Sequence, residues 1–355
     1  AAANEVLESG MLRAASKCAA FEEQYAAISD AKIGLTCANG TCALQLAYGA
    51  LLEPGDEVIT PAWTYIATVS MLVAAGANVV FCDCLEDSYQ ADPNDIEAKI
   101  TPKTKAIAVT HLYGIPVDID AIQAIADKHG LKVIYDSAQA HLAEYNGKGI
   151  GAYGDACTYS FYATKNLGTG EGGMVTVNDE ELAKKIGLLR SHGETDKYLH
   201  ESIGFNYRMN DITGAIGLSK LEDLPGQTNR RREVADLYAS RIDAIEGVNR
   251  RVPTKASNPA WHLYTCRLDL DKLSCTRDEF CAALMKEGVP SAVHYPKPLT
   301  KQPAFKDIAA KTGPMPVSEK LAASVFCIPI HQNLSDEQVN GVCDALAKVA
   351  DAFRK

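Results

Sequence analysis

Apolar residues recur along this chain in two alternating periods. Short runs such as Lys132-Val-Ile-Tyr-Asp136 give way to stretches where apolar positions return every three or four residues, as in Ile119-Asp-Ala-Ile-Gln-Ala-Ile-Ala-Asp-Lys-His129. The first pattern suits strands buried on both faces, the second amphipathic helices. Strands are predicted at Glu57–Thr60, Asn78–Asp83, Ala106–Thr110, Lys132–Asp136, Cys157–Ser160 and Met174–Val177, and helices at Thr41–Leu52, Tyr65–Ala75, Ile119–His129 and Asp179–Arg190. This alternation implies crossover connections and an α/β fold with a large, mostly parallel sheet. In such sheets ligands collect beyond the carboxyl ends of the strands, where Asp136 and Ser160 both fall.

Past Asn210–Leu224, Pro225-Gly226 is expected to punctuate the chain before a long helix that reaches about Ala244. Residues 1–225 should then form a large domain with N-terminal helices, and 226–355 a smaller C-terminal α/β domain. The smaller one is expected to hold a strand at His262–Leu270 and helices at Arg277–Glu287 and Asp336–Phe353. Arg230-Arg-Arg232 is expected to form a solvated face of the long helix, with contact to a nucleotide phosphate as the alternative.

With 355 residues, 47% of them hydrophobic, the chain can build a large core. A net charge of −10 argues against a general nucleic-acid surface or a basic membrane surface. Trp63 to Cys82 is the most apolar stretch, but Gly76 and Asn78 split it into pieces too short to cross a bilayer. The eleven cysteines are scattered, without paired Cys-x-x-Cys spacing or a secretory leader, so reduced cytoplasmic thiols and no metal site are expected.

The chemistry concentrates around Lys165. Its amine can form a Schiff base, Asp136 can pair with a pyridinium nitrogen, and the Ser160 hydroxyl can bind phosphate, a set that suits pyridoxal 5'-phosphate (PLP). Gly40 and Thr41 open a predicted helix whose free N–H groups and dipole favour an anion. A nicotinamide dehydrogenase is disfavoured, because no Gly-x-Gly-x-x-Gly follows the first predicted strand; the glycines of Gly168–Gly173 precede a strand instead.

Three runs, Asp136-Ser-Ala-Gln-Ala-His141, Gly154 through Lys165-Asn-Leu167 and Gly204-Phe-Asn-Tyr-Arg-Met209, carry a wider likeness. It extends from Val6-Leu-Glu-Ser-Gly10 to Phe326-Cys-Ile-Pro329. The chain resembles the DegT/DnrJ/EryC1/StrS family of PLP-dependent sugar aminotransferases over nearly its whole length. That resemblance implies a fold-type I (aspartate aminotransferase-like) architecture and a ping-pong transamination. L-glutamate would be the amino donor, a keto group on a nucleotide-linked deoxysugar the acceptor, and pyridoxamine 5'-phosphate the alternate cofactor form.

By resemblance, Lys165 carries the cofactor as an internal aldimine and shuttles protons, while Asp136 keeps the ring nitrogen charged. Gln139 approaches the phenolic oxygen and Trp63 lies against the ring. Gly40, Thr41 and Ser160 hold the phosphate, joined by Asn206 from a second subunit, which implies a homodimer with shared sites. Arg208, His294 and Tyr295 are the candidate substrate contacts, and His141 is left outside the catalytic set. His294-Tyr-Pro296 occurs in members acting at C3, which favours C3 over C4 without deciding it. A lysine at 165 disfavours the related dehydratases, which have histidine there. A keto-cyclitol or aminobenzoate-precursor acceptor, or a non-catalytic regulatory protein that keeps the fold, stays open.

Overall fold

Alternation within single strands shows how the centre of the molecule is built. In the computed structural model, which describes all 355 residues, Ile107 and Val109 enter one core while Ala106 and Ala108 enter another on the opposite face of the sheet. The sheet has seven strands: β1 (Ile33–Cys37), β2 (Glu57–Pro61), β3 (Asn78–Cys82), β4 (Thr104–Thr110), β5 (Lys132–Asp136), β6 (Ala156–Ser160) and β7 (Gly173–Val177). Their spatial order is β3-β2-β4-β5-β6-β7-β1. Strands β3, β2, β4, β5 and β6 run parallel, whereas β7 is antiparallel to both its neighbours. The register sets Thr110 beside Asp136 at the carboxyl edge.

Helices cover both faces, as parallel sheets require. They are α1 (Ala2–Ser9), α2 (Ser16–Ile28), α3 (Gly40–Leu51), α4 (Ile66–Ala74), α5 (Ile119–His129), α6 (Glu180–Arg190), α7 (Asp211–Leu221) and α8 (Leu224–Ile242). Leu44 and Ala47 of α3 pack with Ile186 of α6 on one face; Phe21 and Tyr25 of α2 join Ile122 of α5 on the other. Asp211, buried at the start of α7, caps α2 from far along the chain: its carboxylate accepts from the N–H groups of Ala15, Lys17 and Cys18 at 2.7, 3.1 and 3.0 Å.

A second core lies under a three-stranded antiparallel sheet of β8 (Val248–Arg250), β9 (Tyr264–Leu268) and β10 (Val325–Ile328). Val234 and Tyr238 of α8 pack into it, together with α9 (Arg277–Lys286) and α10 (Asp336–Ala352).

The predicted elements are present with ends shifted by a residue or two, and the structure adds strands that the pattern did not predict: β1, a short Gly-containing segment, and β8 and β10 of the small sheet. Pro225 and Gly226 lie inside the first turn of α8, where a proline costs nothing because its missing N–H would have no helical partner; the break comes earlier, between Leu221 and Leu224. Nor is Arg230–Arg232 a solvated face. Arg230 pairs with Glu233 and Asp336, Arg231 donates to the carbonyls of Trp261 and Ile330, and Arg232 donates to those of Pro259 and Leu142.

Burial lowers the pKa of His111, His141, His262 and His294 and so ties stability to pH; His111 and His141 show the effect most plainly. Burial holds both His111 and His141 down to about 3; the Ser160 carbonyl at 2.9 Å from His141 Nε2 offsets this only partly. Because the folded values lie below the unfolded value near 6.5, the fold loses nothing above that pH and loses stability as pH falls from about 6.5 towards 3. Urea unfolding between about pH 7.5 and 5.5 should show this loss, each histidine adding up to about 1.4 kcal/mol per pH unit. His111→Gln should flatten the slope by one such increment; an unchanged slope would refute the assignment.

Candidate active site

At the carboxyl edge of the sheet a cavity of about 720 Å³ opens between the large sheet and the smaller lobe. Gly40, Thr41, Asp136, Gln139, Ser160, Lys165, His294 and Tyr295, eight residues singled out in the sequence, all line it.

One end is a close approach of α3 to β6. A Cβ on Gly40 would stand 2.6 Å from Ser160 Cβ, so only glycine lets the helix start against the strand. The Asn39 side chain accepts the N–H of Cys42 at 2.9 Å and leaves the N–H groups that open the helix directed at the cavity. With the Thr41 and Ser160 hydroxyls beside them, these donors fit a phosphate dianion.

The other end is organised by Asp136. Its Oδ2 accepts from the Thr68 hydroxyl at 2.6 Å and its Oδ1 from the Ala138 N–H at 3.0 Å. Behind Thr68, the hydroxyls of Thr64 and Thr110 are 2.7 Å apart. Burial raises the Asp136 pKa, with both hydrogen bonds and the Lys165 charge opposing the shift. Burial likewise lowers the Lys165 pKa, opposed by Asp136. An amine biased towards its neutral form faces a buried carboxylate that would suit a ring N–H.

Gln139 has a fixed orientation. Its Oε1 accepts from the Tyr113 N–H at 2.6 Å, so Nε2 turns towards the Tyr295 hydroxyl at 3.2 Å and can donate to an oxygen in the cavity. These groups fit PLP: anion donors at one end, a carboxylate for the ring nitrogen, an amide donor for the phenolic oxygen and an amine for the aldehyde.

Trp63 does not reach the cavity. It is buried at 1% exposure among Tyr89, Leu112, Tyr113 and Leu321, whereas Tyr65, 55% exposed, lines the cavity together with Tyr162 and Tyr295. The chain leaves β2 at Pro61, so strand alternation no longer decides which side chain turns to the ligand side. Asn206 and Arg208 are exposed and outside the cavity of this chain; Arg208 Nη2 lies 3.5 Å from His192 Nε2. His141 is held between the Tyr25 hydroxyl and the Ser160 carbonyl.

Sequence reasoning missed Tyr65, Thr68 and His262, and read Arg231 mainly as part of a solvated face. Tyr65 and Thr68 follow a strand end at the ligand edge, a positional signal that was available. Arg231 and His262 reach the cavity through lobe packing that no local pattern records.

The model of the DegT/DnrJ/EryC1/StrS aminotransferase family matches residues 1–347. The chain belongs to this family. It is 40% identical over 355 residues to a protein of Geobacillus stearothermophilus named "Pleiotropic regulatory protein", with 99% of this chain and 93% of that one covered. It is 37% identical to the dTDP-3-amino-3,4,6-trideoxy-alpha-D-glucose transaminase of Streptomyces venezuelae, covering 99% and 92%. The crystal structure of S. venezuelae DesV in complex with a ketimine intermediate superimposes with a TM-score of 0.94 at 37% identity, covering 99% of this chain and 93% of that one. Family and fold make this a fold-type I, PLP-dependent aminotransferase.

Gly40→Ala should weaken PLP binding at least about tenfold, because the added methyl must displace Ser160. Tyr65→Ala should weaken it by a similar factor through lost contact with the ring. Trp63→Phe should leave affinity within about twofold and lower the melting temperature. Titration of PLP into the three apo-variants, followed by cofactor absorbance, checks the set; a Trp63 effect as large as that of Tyr65 would reverse their assignment.

Proposed function

We propose that this protein transfers the amino group of L-glutamate to a keto carbon of a nucleotide-linked deoxysugar, with carbon 3 the favoured position. The observation that carries this reading is the convergence of a recessed Lys165 amine, the buried Asp136 carboxylate and the Gly40–Ser160 anion cradle on one cavity. The nucleotide-sugar acceptor and the C3 preference draw support from the name of the S. venezuelae transaminase and from His294-Tyr-Pro296.

PLP, when bound, supplies an electron-withdrawing ring that stabilises negative charge at the reacting carbon. Gly40, Thr41 and Ser160 would hold its phosphate, Asp136 would pair with its ring nitrogen, Gln139 would donate to its phenolic oxygen and Lys165 would hold it at the aldehyde carbon. Lys165 Nζ takes the proton from the donor's Cα and delivers it in the second half of the cycle, a role suited to an amine whose pKa is depressed by burial. His294 and Tyr295 contact the substrate from the smaller lobe. Asn206 and Arg208, exposed on this chain, complete the site of a second copy, so the working unit is a homodimer. The division into a large domain of residues 1–225 and a smaller one of 226–355 belongs to the same proposal. A cytoplasmic location fits eleven unpaired thiols, and no helix is long and apolar enough to cross a membrane.

A regulatory role is the second reading, favoured by the name of the G. stearothermophilus relative. Spectra of the PLP-loaded protein separate the two. L-glutamate should bleach the visible cofactor band of the wild type, and Lys165→Ala should lose that conversion. Asp136→Asn should slow it by about 100-fold or more while PLP affinity changes far less. A band that no amino donor alters would favour the regulatory reading.

A further inference from the structure

Three consecutive arginines of α8 differ in their partners. Arg230 is neutralised by Glu233 and Asp336, at 2.8 and 2.7 Å, and Arg232 lies 3.5 Å from Glu144. Arg231 makes no ion pair. One of its nitrogens, Nη1, donates to the carbonyls of Trp261 and Ile330 at 3.0 and 3.1 Å, which fixes the guanidinium on the cavity wall; Nε and Nη2 have no protein partner. A cation held out of bulk water without a counter-ion is costly, and an anionic ligand removes that cost.

The neighbouring groups show where such an anion would sit. His262, also on the wall, has Nδ1 3.2 Å from Asn166 Oδ1, and Asn166 Nδ2 donates to the Ala260 carbonyl at 2.9 Å. The asparagine oxygen must therefore accept, so His262 carries its proton on Nδ1 and turns a neutral, proton-accepting Nε2 away from Asn166. Burial, then the charges of Lys165 and Arg231, keep this imidazole neutral. It thus lies close to both Lys165, the reactive amine, and Arg231, the fixed cation. Asp136 and Glu171, the carboxylates lining the cavity, form no ion pair with Arg231.

We propose that Arg231 is the receptor for the α-carboxylate of the amino donor. This rests on the transaminase reading above. An amino acid reacting at Lys165 has its carboxylate one bond from the reacting carbon, and a fixed guanidinium with free donors is the group that binds a carboxylate through paired hydrogen bonds. The diphosphate of a sugar nucleotide lies several bonds from a keto group at carbon 3, farther from Lys165. The neutral His262 beside Arg231 can accept from the acceptor sugar's hydroxyls when that substrate replaces the donor.

The test uses PLP-loaded wild type, Arg231→Gln and Arg231→Lys. Binding is read from the cofactor band during titration with 2-methyl-L-glutamate, which lacks the transferable proton, and conversion is read with L-glutamate. Calorimetry with dTDP and UDP reports on the nucleotide side. The expected result is a rise of at least about tenfold in the half-saturating concentration of both amino acids for Arg231→Gln, and a smaller rise for Arg231→Lys, with nucleotide binding within about twofold of wild type. Unchanged amino-acid saturation in Arg231→Gln overturns the assignment, as does a loss confined to dTDP and UDP. An equal loss of donor and nucleotide binding, accompanied by a lower melting temperature in both variants, also overturns it and leaves Arg231 a staple between two loop carbonyls. If glutamate fails to convert the wild type itself, the transaminase reading falls, and the carboxylate receptor with it.

Discussion

A carboxylate placed at the end of a buried strand constrains everything around the cavity. Leaving Asp136 in the interior without partners would cost several kcal/mol, so the fold must bring donors to it. Thr68 comes from the first turn of α4 and the Ala138 N–H from the turn just past β5, while Lys165 comes from the connection between β6 and β7. These contacts require the carboxyl ends of adjacent strands to meet at one edge, which the parallel register supplies by setting Thr110 beside Asp136. The same burial that raises the carboxylate's pKa lowers that of the amine: Lys165 is biased towards the neutral form that can accept a proton, while the Thr68 and Ala138 hydrogen bonds favour the charged form of Asp136.

The smaller lobe is fastened to this edge through Tyr113. Its backbone N–H sets the orientation of Gln139, and its hydroxyl donates to the His294 carbonyl in the loop that carries Tyr295. Arg251, fully buried, places its guanidinium 4.9 Å from the centre of the Tyr113 ring and donates to the carbonyl of Leu112. One residue thus couples the Gln139 amide to the loop of His294 and Tyr295, three residues that line the same cavity.

How much of this could be read from the chain depends on what kind of constraint acted. Strand β5 and helix α5 have the predicted ends because Val133, Ile134 and Tyr135 are buried by both faces of a sheet, and Ile119, Ile122 and Ile125 by one stripe of a helix. Residues at strand ends, Asp136 and Ser160 among them, inherit that precision. Trp63 and Tyr65 lie beyond the strand, where periodicity stops, and the larger aromatic went to the core while the one with a hydroxyl stayed at the cavity, 55% exposed. For Arg230–Arg232 a charge count predicts water. The actual partners are carbonyls and carboxylates from residues 142 to 336, contacts that exist only after the lobes have packed.

A site that must take two chemically different substrates in turn cannot be complementary to both with the same groups. Here the fixed polar contacts are divided by lobe. The cradle of Gly40 and Ser160 and the Asp136–Thr68 pair belong to the sheet edge, whose packing admits no shift at Gly40. His262, His294 and Tyr295 come from the smaller lobe, where the His294 carbonyl accepts from the Tyr113 hydroxyl and His262 Nδ1 lies 3.2 Å from Asn166 Oδ1. Groups held by loops can change with the acceptor without disturbing the carboxylate that the sheet must keep satisfied. This division explains why one architecture can keep its cofactor chemistry fixed while the identity of the sugar varies, and why the sugar is the part least determined by the strand and helix pattern.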